Sequence, residues 1–291
     1  MKKVLLILMC CMAIQSVHAQ DTPKWADKAK KAVFSIVTYD KENKIKNTGN
    51  GFYIDNNGTA LSDYSLFEDA ERAVIINADG KELPVTRIAG ANSMYDVIKF
   101  RTETEKKITA LKVATQPAAV GETVYLLPYS TQKAATCQTG KVTQVDTIAD
   151  KAYYYTLTMT TSDKTVSCPI MNANGEVLGL IQKSASEEDK ESYAIGASYG
   201  ESLSISPLSA NDINLNKIGI AKALPETEDQ ALVYLYMSSS QMDAKNYLAT
   251  LNDFLQAYPN STEGYTRRAG YYMNIGDDEH NALAEADLKK A

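Results

Sequence analysis

The sequence holds two histidines, His18 and His280, and none between Gln20 and Glu279. That limits the chemistry before any fold is considered. A serine hydroxyl is a weak nucleophile unless an adjacent base takes its proton, and near neutral pH an imidazole ordinarily does so. A cysteine nucleophile would ask for the same partner. The four cysteines are Cys10, Cys11, Cys137 and Cys168. There is no glycine-rich phosphate loop and no clustered set of metal ligands, so no cofactor and no metal are expected. The run Tyr153-Tyr154-Tyr155 reads as a half-buried strand rather than a shelf for a ligand.

The first twenty residues set the compartment. Lys2 and Lys3 open the chain, and Val4 to Ile14 is apolar but shorter than the roughly 20 residues that span a bilayer. Val17-His18-Ala19 then supplies a small-residue cleavage pattern. We expect a secretory signal over residues 1–19, cut after Ala19, and an exported product, periplasmic or extracellular. A retained anchor is the alternative. A lipid-attached start is disfavoured, because no small residue stands before Cys10. No later segment is apolar enough to cross a membrane. Loss of Lys2 and Lys3 leaves 28 basic against 36 acidic residues, a net charge of −8. That balance argues against nucleic acid or an anionic membrane as the main partner. In an oxidising compartment Cys137 and Cys168 either pair or remain as two buried thiols, and the sequence leaves both open.

The elements that must position any site are β-strands as far as about residue 205. Ala32–Tyr39 is β-branched and aromatic. Gly51–Asp55 and Thr59–Ser62 flank a turn at Asn56-Asn57-Gly58. Ala73–Asn77 and Lys81–Ile88 flank Asp79-Gly80, and Asp96–Arg101 closes a first set. Thr123–Leu127, Gly140–Val145, Tyr153–Met159, Cys168–Met171, Val177–Gln182 and Ser192–Ile195 form a second set. Two successive sets of short strands imply two barrels packed side by side, over residues 25–205. Residues 206–227, with Pro207 and Pro225, read as an exposed linker open to proteolysis. From 228 to 291 the spacing becomes helical. Ala231, Leu232, Leu235 and Tyr236 mark one face, and Leu248, Leu251, Phe254 and Leu255 another. Tyr265, Ala269, Tyr272 and Met273 mark a third, with a break at Gly276-Asp277 before Ala284, Leu288 and Ala291.

Residues 49–70, GNGFYIDNNGTALSDYSLFEDA, resemble the HtrA/Deg-like trypsin family, in which a glycine-x-glycine-phenylalanine strand leads through an acidic turn to the catalytic histidine. INADGKELPVTRIAG, YDVIKF, CPIMNANGEVLGLIQ and SYAIGAS follow in the family's order. The resemblance implies a mainly β, trypsin-like double β-barrel with its cleft between the barrels. It also implies where the triad would stand. The histidine position falls on Ser65, the aspartate position on Asp96, and the nucleophile position on Val166, with only Pro169 kept from the glycine-rich nucleophile segment. Lys164, Ser167 and Cys168 replace the glycines whose backbone N–H groups would form an oxyanion hole. The triad is therefore expected to be degenerate. Ser167 is the fallback nucleophile, with Lys164 or Lys183 as a conceivable base. Each position also has a plain structural role: Asp96 bonding nearby backbone, Ser65 capping a short helix, Val166 packing.

The helices resemble tetratricopeptide repeats, which pair two helices over about 34 residues. Two repeats at most are present, so they either dock on the barrels or belong to a longer array. Three functions compete. One is a catalytically inactive protein that binds a peptide or protein in the cell envelope. Another is an endopeptidase with atypical groups. The third is a helical interaction protein for which the barrels are a spacer.

Overall fold

The computed structural model describes residues 22–103, 108–149, 152–183 and 190–291; the expected signal segment, with Cys10 and Cys11, lies outside them. The strands β1 (Val33–Tyr39), β2 (Ile45–Tyr53), β3 (Thr59–Ser62), β4 (Arg72–Ile76), β5 (Glu82–Asn92) and β6 (Val97–Thr102) close a barrel in the order β1-β2-β3-β6-β5-β4. A second barrel runs β10-β11-β12-β9-β8-β7, from β7 (Thr123–Leu126), β8 (Gln138–Ala149), β9 (Ala152–Leu157), β10 (Pro169–Met171), β11 (Val177–Ile181) and β12 (Ser192–Gly196). All named strand pairs are antiparallel.

Side-chain period explains the closure. In β1, Phe34, Ile36 and Thr38 alternate inward, as a strand with one buried face requires. Phe34 meets Tyr53 at 4.8 Å between ring centroids, and Phe67 meets Phe100 at 5.1 Å, so aromatics fill the first barrel. In β11 all five residues are buried, which fits its continuous apolar run. The turn into β11 needs Gly175, whose φ is +78°, and a Cβ there would come within 2.7 Å of the Trp25 ring. Trp25 also donates from Nε1 to Ala173 O at 3.0 Å. The following turn α1 (Ala26–Ala29) buries Ala26 and Ala29 in a core cluster that joins the first barrel to residues of the second such as Met171 and Val177.

Residues 206–227 are not an exposed linker. After α2 (Ala197–Ser202), a 3-10 turn at Pro207–Asn211 and α3 (Ile213–Asn216) lead into a segment laid on the first barrel. Leu215, Ile218, Ile220 and Ala223 are buried in its core cluster. Ile88 N–H donates to Ala221 O at 2.8 Å, and Ala223 N–H to Ile88 O at 2.7 Å. The apolar positions here follow no single period, because each packs from an irregular backbone. We therefore expect the buried stretch to resist proteolysis.

Four helices follow: α4 (Glu228–Ser238), α5 (Ala244–Ala257), α6 (Thr262–Ile275) and α7 (Asp278–Leu288). Thr227, Asp243, Ser261 and Asp277 cap their N-termini by accepting backbone N–H groups. Gly276, at φ +78°, ends α6. Ala231, Leu235, Leu251, Phe254 and Leu255 form their core. The face expected on α4 is rotated: Tyr234 and Ser238 are buried, whereas Tyr236 is 69% exposed. Tyr234 joins the first barrel's core cluster, and Arg87 Nε bonds Asp253 Oδ2 at 2.7 Å. The helices thus dock on the barrel. Among the described residues no helix is long and apolar enough to cross a membrane.

Candidate functional site

The end of β3, the start of β6 and the loop before β10 meet between the barrels. Ser62 pairs with Ile98 across β3 and β6, which brings the turn Tyr64–Leu66 beside Asp96. Asp96 sits at φ +47°, a conformation uncommon for a residue with a Cβ but tolerated by aspartate. Its Oδ1 accepts the Ser65 N–H at 2.7 Å and its Oδ2 accepts the Ser65 hydroxyl at 3.0 Å. Two of the expected positions, 65 and 96, are therefore neighbours. At the position the resemblance assigns to the triad aspartate, the carboxylate holds a serine.

Asn50, on β2 and 5% exposed, ties the barrels together. Its Nδ2 donates to Val166 O at 2.9 Å and to Lys164 O at 3.1 Å, and its own carbonyl accepts from Ser62 Oγ at 2.6 Å. Around the loop it holds, the Val166 N–H donates to Ser162 O at 3.2 Å and the Ser167 N–H to Ile181 O at 2.9 Å. An oxyanion hole needs N–H groups aimed at incoming charge, and both of these are engaged by the protein itself.

Ser167 is fully buried at φ +63°. Its hydroxyl has the Asp63 carboxyl as its polar neighbour but closes no short hydrogen bond, and neither Lys164 nor Lys183 meets it. Lys183 instead lies 3.3 Å from Asp163, and the Lys164 side chain is exposed. Beside Ser167 lies Asp63, also buried, whose Oδ1 is likewise unpaired. Burial drives the Asp63 pKa well above the usual carboxylate value; the Asp96 charge adds to this and the Ser167 hydroxyl opposes it. Asp63 thus keeps its proton to higher pH than an ordinary carboxylic acid, which makes it a poor base for its neighbour. Burial likewise raises the Cys168 thiol to about 12, with the Tyr129 backbone opposing and the Asp63 charge adding. Burial also raises Cys137 to about 11.

Both of these cysteines are free, so no disulfide joins them. They precede β8 and β10, which flank β7 on opposite sides: Leu126 pairs with Gln138 and with Ile170. Strands separated by a common neighbour lie roughly 9.5 Å apart, too far for a bridge. Asp63 and Asn50 were not singled out from the sequence. A carboxylate directly after the apolar run Thr59–Ser62 was the available signal for Asp63. Asn50 carried none, because the partners of its side-chain amide lie more than a hundred residues away.

A family model described as the trypsin-like peptidase domain matches residues 49–180. The two barrels have the trypsin-like serine protease fold. Among solved structures, the serine endoprotease from Yersinia pestis aligns with a TM-score of 0.51 and 15% sequence identity. The alignment covers 60% of this chain and 61% of that one, so the likeness concerns the fold. No curated protein matches the sequence.

Proposed function

We propose that this trypsin-like chain is an exported, HtrA/Deg-like protein with a decayed triad, and that it holds a peptide or protein segment without cleaving it. One observation carries the reading: no histidine falls between Gln20 and Glu279, so the double barrel has no imidazole. The remaining one, His280, is engaged in α7 by the Asp277 cap, with Nδ1 at 2.7 Å from Oδ1. The neighbourhood of positions 65, 96 and 166 supports the same reading. Asp96 is occupied by Ser65, and the Val166 N–H is committed inside its own loop. The signal over residues 1–19 supports export.

The test is turnover of casein and fluorogenic peptides by the purified mature chain between pH 5 and 9, with labelling by a serine-reactive phosphonate. We expect neither cleavage nor labelling. Cleavage that survives rigorous purification and disappears in Ser167→Ala would favour an endopeptidase with atypical groups. The helices support a second reading, in which tetratricopeptide-like packing presents the binding surface. Tyr236, Met273, Ile275 and Leu288 are large apolar side chains left exposed on them. A peptide that binds the intact chain and loses affinity in Tyr236→Ala would place recognition there rather than in the cleft.

A further inference from the structure

A cavity of about 240 Å³ lies away from the cleft, between residues 216–222 and the helices α4 and α5. Lys222 is on its wall. The backbone fixes it there, because the bonds from Ile88 to Ala221 and from Ala223 to Ile88 clamp residues 221–223 along β5. Lys222 Nζ donates to Ile220 O at 2.8 Å and to Ile218 O. Among the described residues no carboxylate stands within ion-pair distance of it. A half-buried ammonium with no carboxylate in direct contact is costly, even with the Glu71 charge in its neighbourhood. A neutral amine suits the same surroundings: it has two hydrogens for two carbonyls, and it keeps a lone pair.

The rest of the wall is largely spent on itself. Asn216 Nδ2 donates to Gln241 Oε1 and Ala210 O, Ser238 to Tyr234 O, and Thr250 to Asn246 O. Asp243 is engaged as the cap of α5, accepting Asn246 N–H at 2.8 Å. Tyr234 contributes a phenol that burial raises to about 12. We propose that Lys222 is a nucleophilic amine that takes a small polar carbonyl compound, an aldehyde or α-keto acid, as a reversible imine in this cavity. The Nζ lone pair attacks the carbonyl carbon. The two amine hydrogens leave with the carbonyl oxygen as one water, and C=N replaces C=O without any oxidant or reductant. Burial lowers the Lys222 pKa to about 8, with the Glu71 charge pulling the other way, so a sizeable neutral fraction exists near neutral pH. The cavity is smaller than the roughly 300–1,000 Å³ of sites for larger ligands, which keeps the occupant to a few heavy atoms.

The probe is glyoxylate at limiting concentration with the full chain at pH 7.5, trapped by cyanoborohydride and located by peptide mass spectrometry. We expect Lys222 to carry several-fold more adduct than any other lysine. Its labelling rate should level off above pH 8, while that of surface lysines still climbs at pH 9. Lys222→Arg should abolish the dominant adduct. Adduct spread evenly over the lysines, or Lys222 unlabelled until the protein is denatured, would overturn the proposal.

Discussion

The two sides of the cleft differ in what they retain. On the first-barrel side Asp96 grips residue 65 through two hydrogen bonds, and residue 65 is a serine at the position the resemblance assigns to a histidine. On the second-barrel side the loop sets position 167 in a left-handed conformation and fills it with a buried serine that has Asp63 beside it but closes no short hydrogen bond. A hydroxyl and an N–H can satisfy a carboxylate at the cleft surface without disturbing the barrel. A side chain set in a glycine-type conformation has no such outlet, because its Cβ and hydroxyl point into packed protein. On the reading proposed above, the backbone frame outlasts the chemistry, and both sides of the cleft hold a non-glycine residue at positive φ, Asp96 at +47° and Ser167 at +63°.

The comparison holds only if the second-barrel loop is fixed from across the cleft, and Asn50 is the fastener. Asn50→Ala removes two part-buried bonds and leaves the carbonyls of Lys164 and Val166 without that donor. We expect a loss of about 2–3 kcal/mol in urea unfolding. A loss below about 0.5 kcal/mol would mean that the loop is held by its own turn, and the asymmetry would lose its cause.

Asp63 sharpens the contrast through pH. Its folded pKa lies above its unfolded value, so the folded state binds the proton more tightly. The stability linked to this group is therefore present in full below the unfolded carboxylate pKa, and it is lost as pH rises toward the folded pKa. Asp63→Asn abolishes that loss. Urea midpoints should match the parent at the acid end and exceed it at pH 8, by less than Asn50→Ala subtracts. A variant weaker than the parent at pH 8 would show that the ionised carboxylate anchors the Ser167 loop.

Much of the barrel architecture was legible because its strands are short, β-branched and bounded by Gly58, Gly80 and Gly175, where the chain takes positive φ. The polar start of β2, from Ile45 to Asn50, gave little signal because one side of it faces solvent. The adjacency of Ser65 and Asp96 was legible only through resemblance; nothing local places residues 31 apart side by side. The burial of Ser167 and Asp63 was not legible, since it arises where two barrels close on each other. Tyr236 was misplaced for a related reason. Its spacing from Leu232 fits an apolar face, but the barrel surface selects Tyr234 and Ser238.

The smallest expected effect makes the most direct test of the comparison. Ser65→His combined with Val166→Ser restores the residue types of a triad beside Asp96. If the second-barrel side is the deeper lesion, the double variant should fold and show no peptidase turnover. The new hydroxyl would stand on a loop whose residue-166 N–H stays bonded to Ser162 O. Without donors for the developing oxyanion the largest single stabilisation is missing; even one lost donor costs about 10²–10³ in rate. Replacing Ser167 and Cys168 by glycine in that variant removes the buried hydroxyl and frees the turn to reorient. Turnover appearing only after that second change would locate the defect in the loop backbone. Turnover from Ser65→His and Val166→Ser alone would show that the loop was competent throughout, and that the missing histidine was the whole difference between the two sides.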